Sequence, residues 1–234
     1  MAVPARKPRE TEVPSEDIRT RLVDAAIRLL AEDGPWAINA RGVAAELGMS
    51  TMVVYHHFGG MPGLFDAVVD AGFRRLAARF DEAPVSDDPV ADMAWLALAY
   101  REGAHQNPHL FDLLYGFSTP GGYRPERRER MVSEGFEAGW DHVVTTAERM
   151  VAAGRIREAE PEVIAAELWS FVHGYVTLEL GGHFARFANP LEDVYFQLGA
   201  DLVAGMGDTR QGALDSTVVA ARSLGLVGRV PNEP

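Results

Sequence analysis

Hydrophobic positions recur along most of the chain at the spacing of amphipathic α-helices. The first predicted helix ends near Gly34, and one of its faces is lined by Ile18, Leu22, Ala26, Leu29 and Leu30. Further helices are predicted over Pro62 to about Phe80, Pro89 to about Gln106, a short stretch through Phe117, about Glu126 to Ala153, Pro161 to about Phe184 and Pro190 to about Val203. Since no strand-like alternation, internal repeat or heptad array accompanies them, the pattern predicts an all-α fold.

The segments between and beyond these helices are predicted from composition. Residues 1–14 are charged and rich in proline and are predicted to form a flexible arm. Residues 82–89 and 118–125 combine Pro, Gly, Ser and Asp and are predicted loops. The helical pattern is weak from Gly207 onward, so residues 207–234 are predicted to be a C-terminal tail with one faint amphipathic segment.

Residues 38 to 65 contain two short helical patterns separated by a tight turn. Asn39 is placed to cap the first helix by accepting a bond from a free backbone N–H. Gly48 follows, where helices commonly end in a left-handed residue. Ser50 is the predicted cap of the second helix, which runs from Thr51 to Phe58. Such a unit can place a short, anchored helix in the major groove of DNA.

The same region resembles the N-terminal domain of the tetracycline-repressor (TetR) family of bacterial transcription regulators. The resemblance runs from about Ile18 to Phe73 and rests on Glu32-Asp33-Gly34, Arg41-Gly42-Val43-Ala44, Leu47-Gly48-Met49-Ser50, Val54-Tyr55-His56-His57-Phe58 and Leu64-Phe65. It implies a helix-turn-helix DNA-binding domain over residues 15–61. The DNA-contacting residues that it implies are Arg41, Ser50, Thr51, Met52, Val53, Tyr55, His56 and His57.

Two features depart from the usual family pattern. Met61 stands where the family usually has a lysine, so one phosphate contact is missing. Met52 and Val53 are apolar, so they can touch a thymine methyl group but cannot donate a hydrogen bond to guanine. Both departures bear on the affinity for DNA more than on the fold.

Charge and composition restrict the alternatives. The net charge of −12 at first argues against a polyanionic partner, but residues 1–60 are close to neutral and the acidity lies further along the chain. The chain has no cysteine, which excludes disulfides, cysteine-based zinc sites and thiol redox sensing. No apolar run reaches the roughly 18 residues of a membrane span, and the N-terminus lacks the apolar segment of a secretory signal. We therefore expect a cytoplasmic protein.

The C-terminal region resembles the effector domain of a TetR subgroup that carries a Trp-x-x-x-His-Gly signature. The matching residues include Asn107-Pro108 and the stretch from Leu168 to Leu180, with Trp169, His173 and Gly174 as the signature. The resemblance implies that residues 62–206 bind a ligand and form a homodimer, which would read a palindromic operator. A stripe suited to the dimer interface is formed by Leu168, Val172, Tyr175, Val176 and Leu180.

Aromatic side chains in this region are a candidate ligand pocket, since pockets between bundle helices are lined in this way. The candidate residues are Trp95, Tyr100, Phe111, Tyr115, Phe136, Trp140, Trp169 and His173. Ordinary core packing is the alternative for each of them. The expected ligand is a small, largely apolar organic molecule.

Catalytic, cofactor and metal sites are not predicted. No phosphate-binding loop, nucleophile elbow or metal motif is present, and Pro108 breaks the helix that would align His105 with His109. The leading prediction is a ligand-responsive DNA-binding transcription regulator, with a repressor favoured by the family's habit. The alternative is a protein-interaction module of the same fold that has lost DNA binding.

Overall fold

The computed structural model describes residues 15–117 and 133–227, and all the regular structure within them is helical. The helices are α1 (Ser15–Asp33), α2 (Ala40–Glu46), α3 (Met52–Phe58), α4 (Met61–Phe80), α5 (Pro89–Gln106), α6 (Pro108–Tyr115), α7 (Glu134–Ala152), α8 (Pro161–Leu180), α9 (Gln197–Gly205) and α10 (Arg210–Ser223). A short 3₁₀ turn, Pro35–Ala37, precedes α2, and a π-helical turn, Leu191–Phe196, leads into α9. The all-α prediction is confirmed. The predicted arm, the loop 118–125 and the beginning of the helix predicted from Glu126 lie outside the described residues.

The chain divides into two compact units, and the division falls between Val68 and Val69. This point lies within α4, whereas the sequence analysis placed the boundary at residues 61 and 62. The N-terminal unit contains α1 to α3 and the beginning of α4. The C-terminal unit contains the rest of α4 and all later helices. One continuous helix therefore contributes to both units.

The N-terminal unit is built around fully buried apolar side chains, among them Leu22, Val43 and Val54. Asn39 caps α2 as predicted, because its side-chain oxygen accepts a hydrogen bond from the Gly42 N–H at 2.9 Å. The turn after α2 has Gly48 at φ 65°, a left-handed conformation that glycine adopts without steric cost.

The prediction that Ser50 caps α3 is wrong. Thr51 occupies the cap position, and no side-chain bond caps this helix. Instead, the Ser50 carbonyl accepts the Val53 N–H at 3.1 Å, so the backbone itself closes the first turn.

The C-terminal unit is organised around α5, which packs against α7, α8 and α10. Its N-terminal half and centre are buried on several sides, with Leu98 and Ala99 almost inaccessible to solvent. Helix α7 also lies very close to α4, because a Cβ atom added to Gly135 would lie 2.7 Å from both the Arg74 nitrogen and the Asp70 oxygen. Only glycine fits this crossing without a shift of one helix.

The segment predicted to be a C-terminal tail contains a packed helix. Residues 210–223 form α10, which packs against α5 and α9. The buried positions of α10 are Ala213, Ser216, Thr217, Ala220 and Ala221. Small side chains let two helices approach closely without producing a strong hydrophobic pattern. The sequence signal was weak for this reason.

A polar cluster fastens α10 to the beginning of α5. Asp88 caps α5, and its second carboxylate oxygen accepts a bond from the Ser216 hydroxyl at 2.7 Å. Arg155 lies between Asp88 and Asp208, at 2.7 Å from each. Burial alone would raise the pKa of Asp88, but the Ser216 hydroxyl, the Ala91 N–H and Arg155 together lower it. The charged carboxylate therefore stabilises the native C-terminal unit.

Candidate functional site

The residues of α3 divide sharply between a buried anchor and an exposed surface. Val54 is fully buried, whereas Met52 and Tyr55 are 67% and 52% exposed. Ser50, Thr51 and His56 are also exposed, and Val53 and His57 are half-buried. Seven of the eight residues predicted to contact DNA thus lie in one short segment around α3, and most of them face solvent.

The base of α3 is held by aromatic and cationic contacts within the N-terminal unit. The Arg19 guanidinium lies 5.2 Å from the centre of the Phe58 ring. His57 meets the His56 ring edge-on, with their centres 5.0 Å apart. The Arg19 contact ties the C-terminal end of α3 to α1, whereas the two histidines belong to the segment predicted to contact DNA.

Arg41, the eighth predicted residue, is exposed on the first turn of α2. The cap residue Asn39, two positions before Arg41, also donates from its amide nitrogen to the Ala37 carbonyl at 3.1 Å. The start of α2 is therefore rigid, and the Arg41 guanidinium extends into solvent from a fixed backbone. Met61, in the place of the usual lysine, is half-buried at the start of α4.

The stripe predicted to form a dimer interface is buried within its own chain. Leu168, Val172, Tyr175 and Val176 all belong to the core of the C-terminal unit. The opposite side of α8 carries exposed Gly174 and Leu178, the latter 45% exposed. The sequence pattern located an apolar face correctly but could not tell whether the same chain or a second one covers it.

Seven of the eight candidate pocket residues form a connected aromatic cluster: Tyr100, Phe111, Tyr115, Phe136, Trp140, Trp169 and His173. His173 lies near its centre, with the Tyr115 ring 4.5 Å away and Trp169 stacked on it at 6.5 Å. The rings of Phe136 and Trp140 stack on each other at the far side, 6.2 Å apart. Several of these rings are only half-buried.

The cluster contains a specific hydrogen bond between α5 and α8. The Tyr100 hydroxyl lies 2.7 Å from His173 Nδ1. Burial lowers the pKa of His173 and raises the pKa of Tyr100, so both groups are uncharged near neutral pH. The nearby Tyr115 hydroxyl is buried without a hydrogen-bond partner in the described part of the chain. The cluster therefore offers uncharged polar groups within an aromatic surface.

A cleft of about 450 Å³ opens beside this cluster, between α4, α5 and α6. We call it the outer cleft. Its lining includes Leu76, Arg79, Tyr100, Glu102, Gln106, Asn107, Phe111 and Tyr115. Arg79 pairs with Glu82 and lies 3.6 Å from Glu102, so the polar side of the cleft holds charges of both signs.

A second, smaller cavity of about 70 Å³ lies deeper in the C-terminal unit, and we call it the inner cavity. Helices α5, α7, α8 and α9 supply most of its walls, and its lining includes Met93, Ala97, Tyr100, Val143, Met150, Trp169, Val172 and Tyr195. Nearly all of these side chains are apolar. Tyr100 lines both the outer cleft and the inner cavity.

Four of the candidate pocket residues line at least one of the two cavities, namely Tyr100, Phe111, Tyr115 and Trp169. The other four, Trp95, Phe136, Trp140 and His173, line neither. Trp95 is buried, and the Arg79 guanidinium lies 4.8 Å from its ring centre. Trp95 and Tyr100 are five positions apart, so their side chains point about 140° away from each other around the helix. The pocket role of Trp95 therefore stays a prediction, with core packing as the alternative.

A buried ion pair, which the sequence analysis missed, ties α5 to α8. The Arg101 guanidinium donates two bonds to Glu179, at 2.7 and 2.6 Å. His105 Nε2 and the Tyr175 hydroxyl complete the carboxylate's shell at 2.8 and 3.2 Å. No sequence signal pairs residues 78 positions apart.

Neither a metal site nor a membrane-spanning helix is found in the part of the chain that the structure describes. No three His, Cys, Asp or Glu side chains among them converge as a metal site would require. None of the helices described is long and apolar enough to cross a membrane.

Comparison with known proteins agrees with this division of the chain. The family model for bacterial regulatory proteins of the tetR family matches residues 22–68, and the model for a tetracyclin repressor-like C-terminal domain matches residues 93–203. HTH-type transcriptional regulator Rv1816 of Mycobacterium tuberculosis is 28% identical over 197 residues, with 72% of this chain and 83% of that protein covered.

Solved structures share the fold. A protein of unknown function from Rhodococcus sp. RHA1 has a TM-score of 0.68 and 26% identity, covering 87% of this chain and 100% of its own. RolR in complex with the ligand resorcinol has a TM-score of 0.61 and 16% identity, covering 87% of this chain and 94% of its own. At that identity, the likeness to RolR shows the fold alone.

Proposed function

The chain belongs to the tetR family of DNA-binding transcriptional regulators, and on that premise we propose that it is a ligand-responsive repressor. In this proposal it binds a palindromic operator as a homodimer in the cytoplasm and is released by a small, largely apolar organic molecule. The observation that carries the DNA-binding half is the exposed surface of α3 around the buried Val54 anchor.

We assign the DNA contacts by side-chain chemistry. Thr51 and His56 can form hydrogen bonds with base edges, and the exposed Met52 can touch a thymine methyl group. Arg41 extends from the capped start of α2, where its guanidinium can reach a phosphate or a guanine. Tyr55 and His57 contact phosphates, and these contacts position the unit without specifying sequence.

The response to a ligand is proposed to pass through α4. The outer cleft is lined by Leu76 and Arg79 of α4, so a ligand in the cleft touches this helix directly. The same helix begins in the N-terminal unit. A ligand that binds better to one arrangement of α4 shifts the population towards it. We propose that the favoured arrangement does not fit the operator.

The proposed dimer face is the exposed side of α8 and α9. Leu178 and Leu198 are 45% and 50% exposed there, and a Cβ atom added to Gly174 would have no neighbour within 4 Å. Apolar side chains beside a small residue allow a second copy to approach closely. A twofold dimer presents two α3 helices to successive major grooves, so the operator is expected to be palindromic.

The first experiment is selection of bound sequences from a random duplex library with the full chain, followed by affinity measurements over a range of salt concentrations. Recovery of a palindrome supports the proposal. Arg41→Ala is then expected to reduce the slope of log K against log salt by about one if it contacts a phosphate. Arg28→Ala is the matched control, since Arg28 is exposed on α1 of the same unit but is not a proposed contact.

The alternative function is tested by the same measurements. If no motif is recovered and binding is absent even at low salt, the chain is a protein-interaction module that has lost DNA binding. The half-buried Met61, in place of the usual lysine, favours this alternative.

Resorcinol is the first ligand to test for release from DNA, because a protein of the same fold binds it.

A further inference from the structure

We propose that the ligand of the C-terminal unit is elongated and amphipathic, with a polar part in the outer cleft and a short apolar end that enters the inner cavity past Tyr100. This inference rests on the proposed function, because it names the class of ligand for that same unit. It follows from the contrast between two cavities that share one wall.

The two cavities differ in chemistry. The outer cleft offers the charged groups of Arg79 and Glu102 and the amides of Gln106 and Asn107. In the inner cavity, the hydroxyl of Thr217 already donates to the Ala213 carbonyl at 2.9 Å. A polar ligand group placed there would lose its hydrogen bonds to water without replacement. The inner cavity therefore selects an alkyl or similarly apolar group.

The tyrosine hydroxyls of the inner lining do not change this assignment. The hydroxyl of Tyr100 is bonded to His173. The hydroxyl of Tyr195 is buried without a hydrogen-bond partner in the described part of the chain, and the charges that act on it are those of Arg101 and Glu179, which do not line the cavity. Its ring stacks on Phe171, with centres 5.0 Å apart. The ring of Tyr195 therefore supplies apolar surface to the cavity.

The volumes set the proportions of the ligand. An apolar cavity of about 150 Å³ holds a benzene ring, so about 70 Å³ admits an alkyl group of roughly two or three carbons. The outer cleft, at about 450 Å³, holds the remainder of a ligand such as a substituted aromatic ring. A ligand confined to the outer cleft would leave the deeper apolar space unused.

Tyr100 is the partition between the two cavities. Its ring lies 5.9 Å from Phe111 on the outer side and 5.2 Å from Trp169, which lines the inner cavity. Entry of an alkyl group requires this ring to rotate and gives up its bond to His173 of α8. A ligand with an apolar end would therefore disturb α4 and α8 together, whereas a ligand without one would act on the cleft alone.

The test is calorimetric titration of the full chain with resorcinol, 4-ethylresorcinol and 4-hexylresorcinol. Each buried methylene contributes about 0.8 kcal/mol, which corresponds to roughly a fourfold gain in affinity. Two buried carbons would give roughly a sixteenfold gain, which the lost Tyr100–His173 bond reduces about threefold to tenfold. We therefore expect 4-ethylresorcinol to bind about twofold to fivefold more tightly than resorcinol, and the gain per carbon to stop before the hexyl compound.

Ala97→Leu tests the location of the apolar end, because it adds three carbons to the wall of the inner cavity. The ratio of the resorcinol and 4-ethylresorcinol dissociation constants is expected to fall to near one in this variant. Ala138→Leu is the matched control, since Ala138 is exposed on α7 and lines neither cavity. Tyr100→Phe removes the bond that holds the partition, so it should raise the preference for 4-ethylresorcinol about threefold to tenfold.

The outcomes separate this inference from the proposed function. Equal affinities for resorcinol and 4-ethylresorcinol in the native chain overturn the inference and leave the proposed function intact. A chain-length preference that persists in Ala97→Leu places the apolar end elsewhere and also overturns it. If none of the three compounds binds, the inference fails for this ligand class, while recovery of an operator still supports the DNA-binding half of the proposed function.

Discussion

Removal of Glu179 is expected to destabilise the C-terminal unit far more than removal of an exposed carboxylate. The side chains of Arg101 and Glu179 are 16% and 9% exposed, and the guanidinium donates two bonds of 2.7 and 2.6 Å. Glu179→Leu leaves a buried cation without its partner. Breaking a buried pair in this way costs about 3–5 kcal/mol. In a domain of this size, each kcal/mol lowers the Tm by about 2–4 °C.

The matched control is the pair of Arg157 and Glu167, which are 44% and 39% exposed and 3.0 Å apart. Glu167→Leu should cost less than about 1 kcal/mol, because solvent screens the pair. Thermal unfolding at one protein concentration, followed by circular dichroism, measures both variants. The double variant Arg101→Met/Glu179→Leu should recover most of the loss, since it removes both charges from the interior.

Two results would contradict this reasoning. One is a Tm for Glu179→Leu that matches the Tm of Glu167→Leu. The other is a double variant that unfolds at or below the temperature of Glu179→Leu, which would mean that the lost packing, and not the unpaired charge, carries the effect.

Three further predictions concern pH, packing and capping. Burial alone would raise the pKa of Glu179, but Arg101 and His105 bring it below its ordinary value of 4.5. The ionised carboxylate therefore stabilises the native state fully above that pH, and this stabilisation is lost as the pH falls through the lowered pKa. The difference in Tm between the native chain and Glu179→Leu should therefore shrink in acid, and a constant difference would refute the assignment. Gly135→Ala should lower the free energy of unfolding by about 1–3 kcal/mol, because the added methyl group overpacks the crossing of α7 and α4. A Cβ atom added to Gly103 has nothing within 4 Å, so Gly103→Ala should be neutral or slightly stabilising in the same unfolding assay. Asn39→Ala should lower the free energy of unfolding by about 1 kcal/mol and weaken DNA binding, while Asn39→Ser should retain most of the stability and most of the DNA affinity. Equal losses in the two variants would show that capping is not the cause.

The N-terminal unit was predictable in detail because its signals are local. The Asn39 cap and the turn at Gly48 depend on backbone geometry within a few residues. The Ser50 cap failed for a local reason too, since the backbone closed the first turn of α3 without the side chain.

The C-terminal unit was predictable as a set of helices but not as a set of contacts. The aromatic cluster could be named from the sequence, since most large rings of a helical bundle meet in its interior. Which of these rings line a cavity was not predictable, because composition does not show which way a side chain points around a helix that is buried on several sides. The Arg101–Glu179 pair and the two cavities depend on helices that are distant in sequence, so no local pattern reports them.

The bond from Ser216 to Asp88 joins residues 128 positions apart, so it can form only after most of the chain has been synthesised. Chains fold from the N-terminus as they leave the ribosome, at about 5–20 residues per second. The N-terminal unit is complete on the nascent chain long before α10 exists, whereas α5 waits for α10 to supply both a packing face and a partner for its cap. A chain that terminates prematurely before α10 would therefore carry the N-terminal unit beside an α5 that lacks this packing face and the Ser216 partner of its cap.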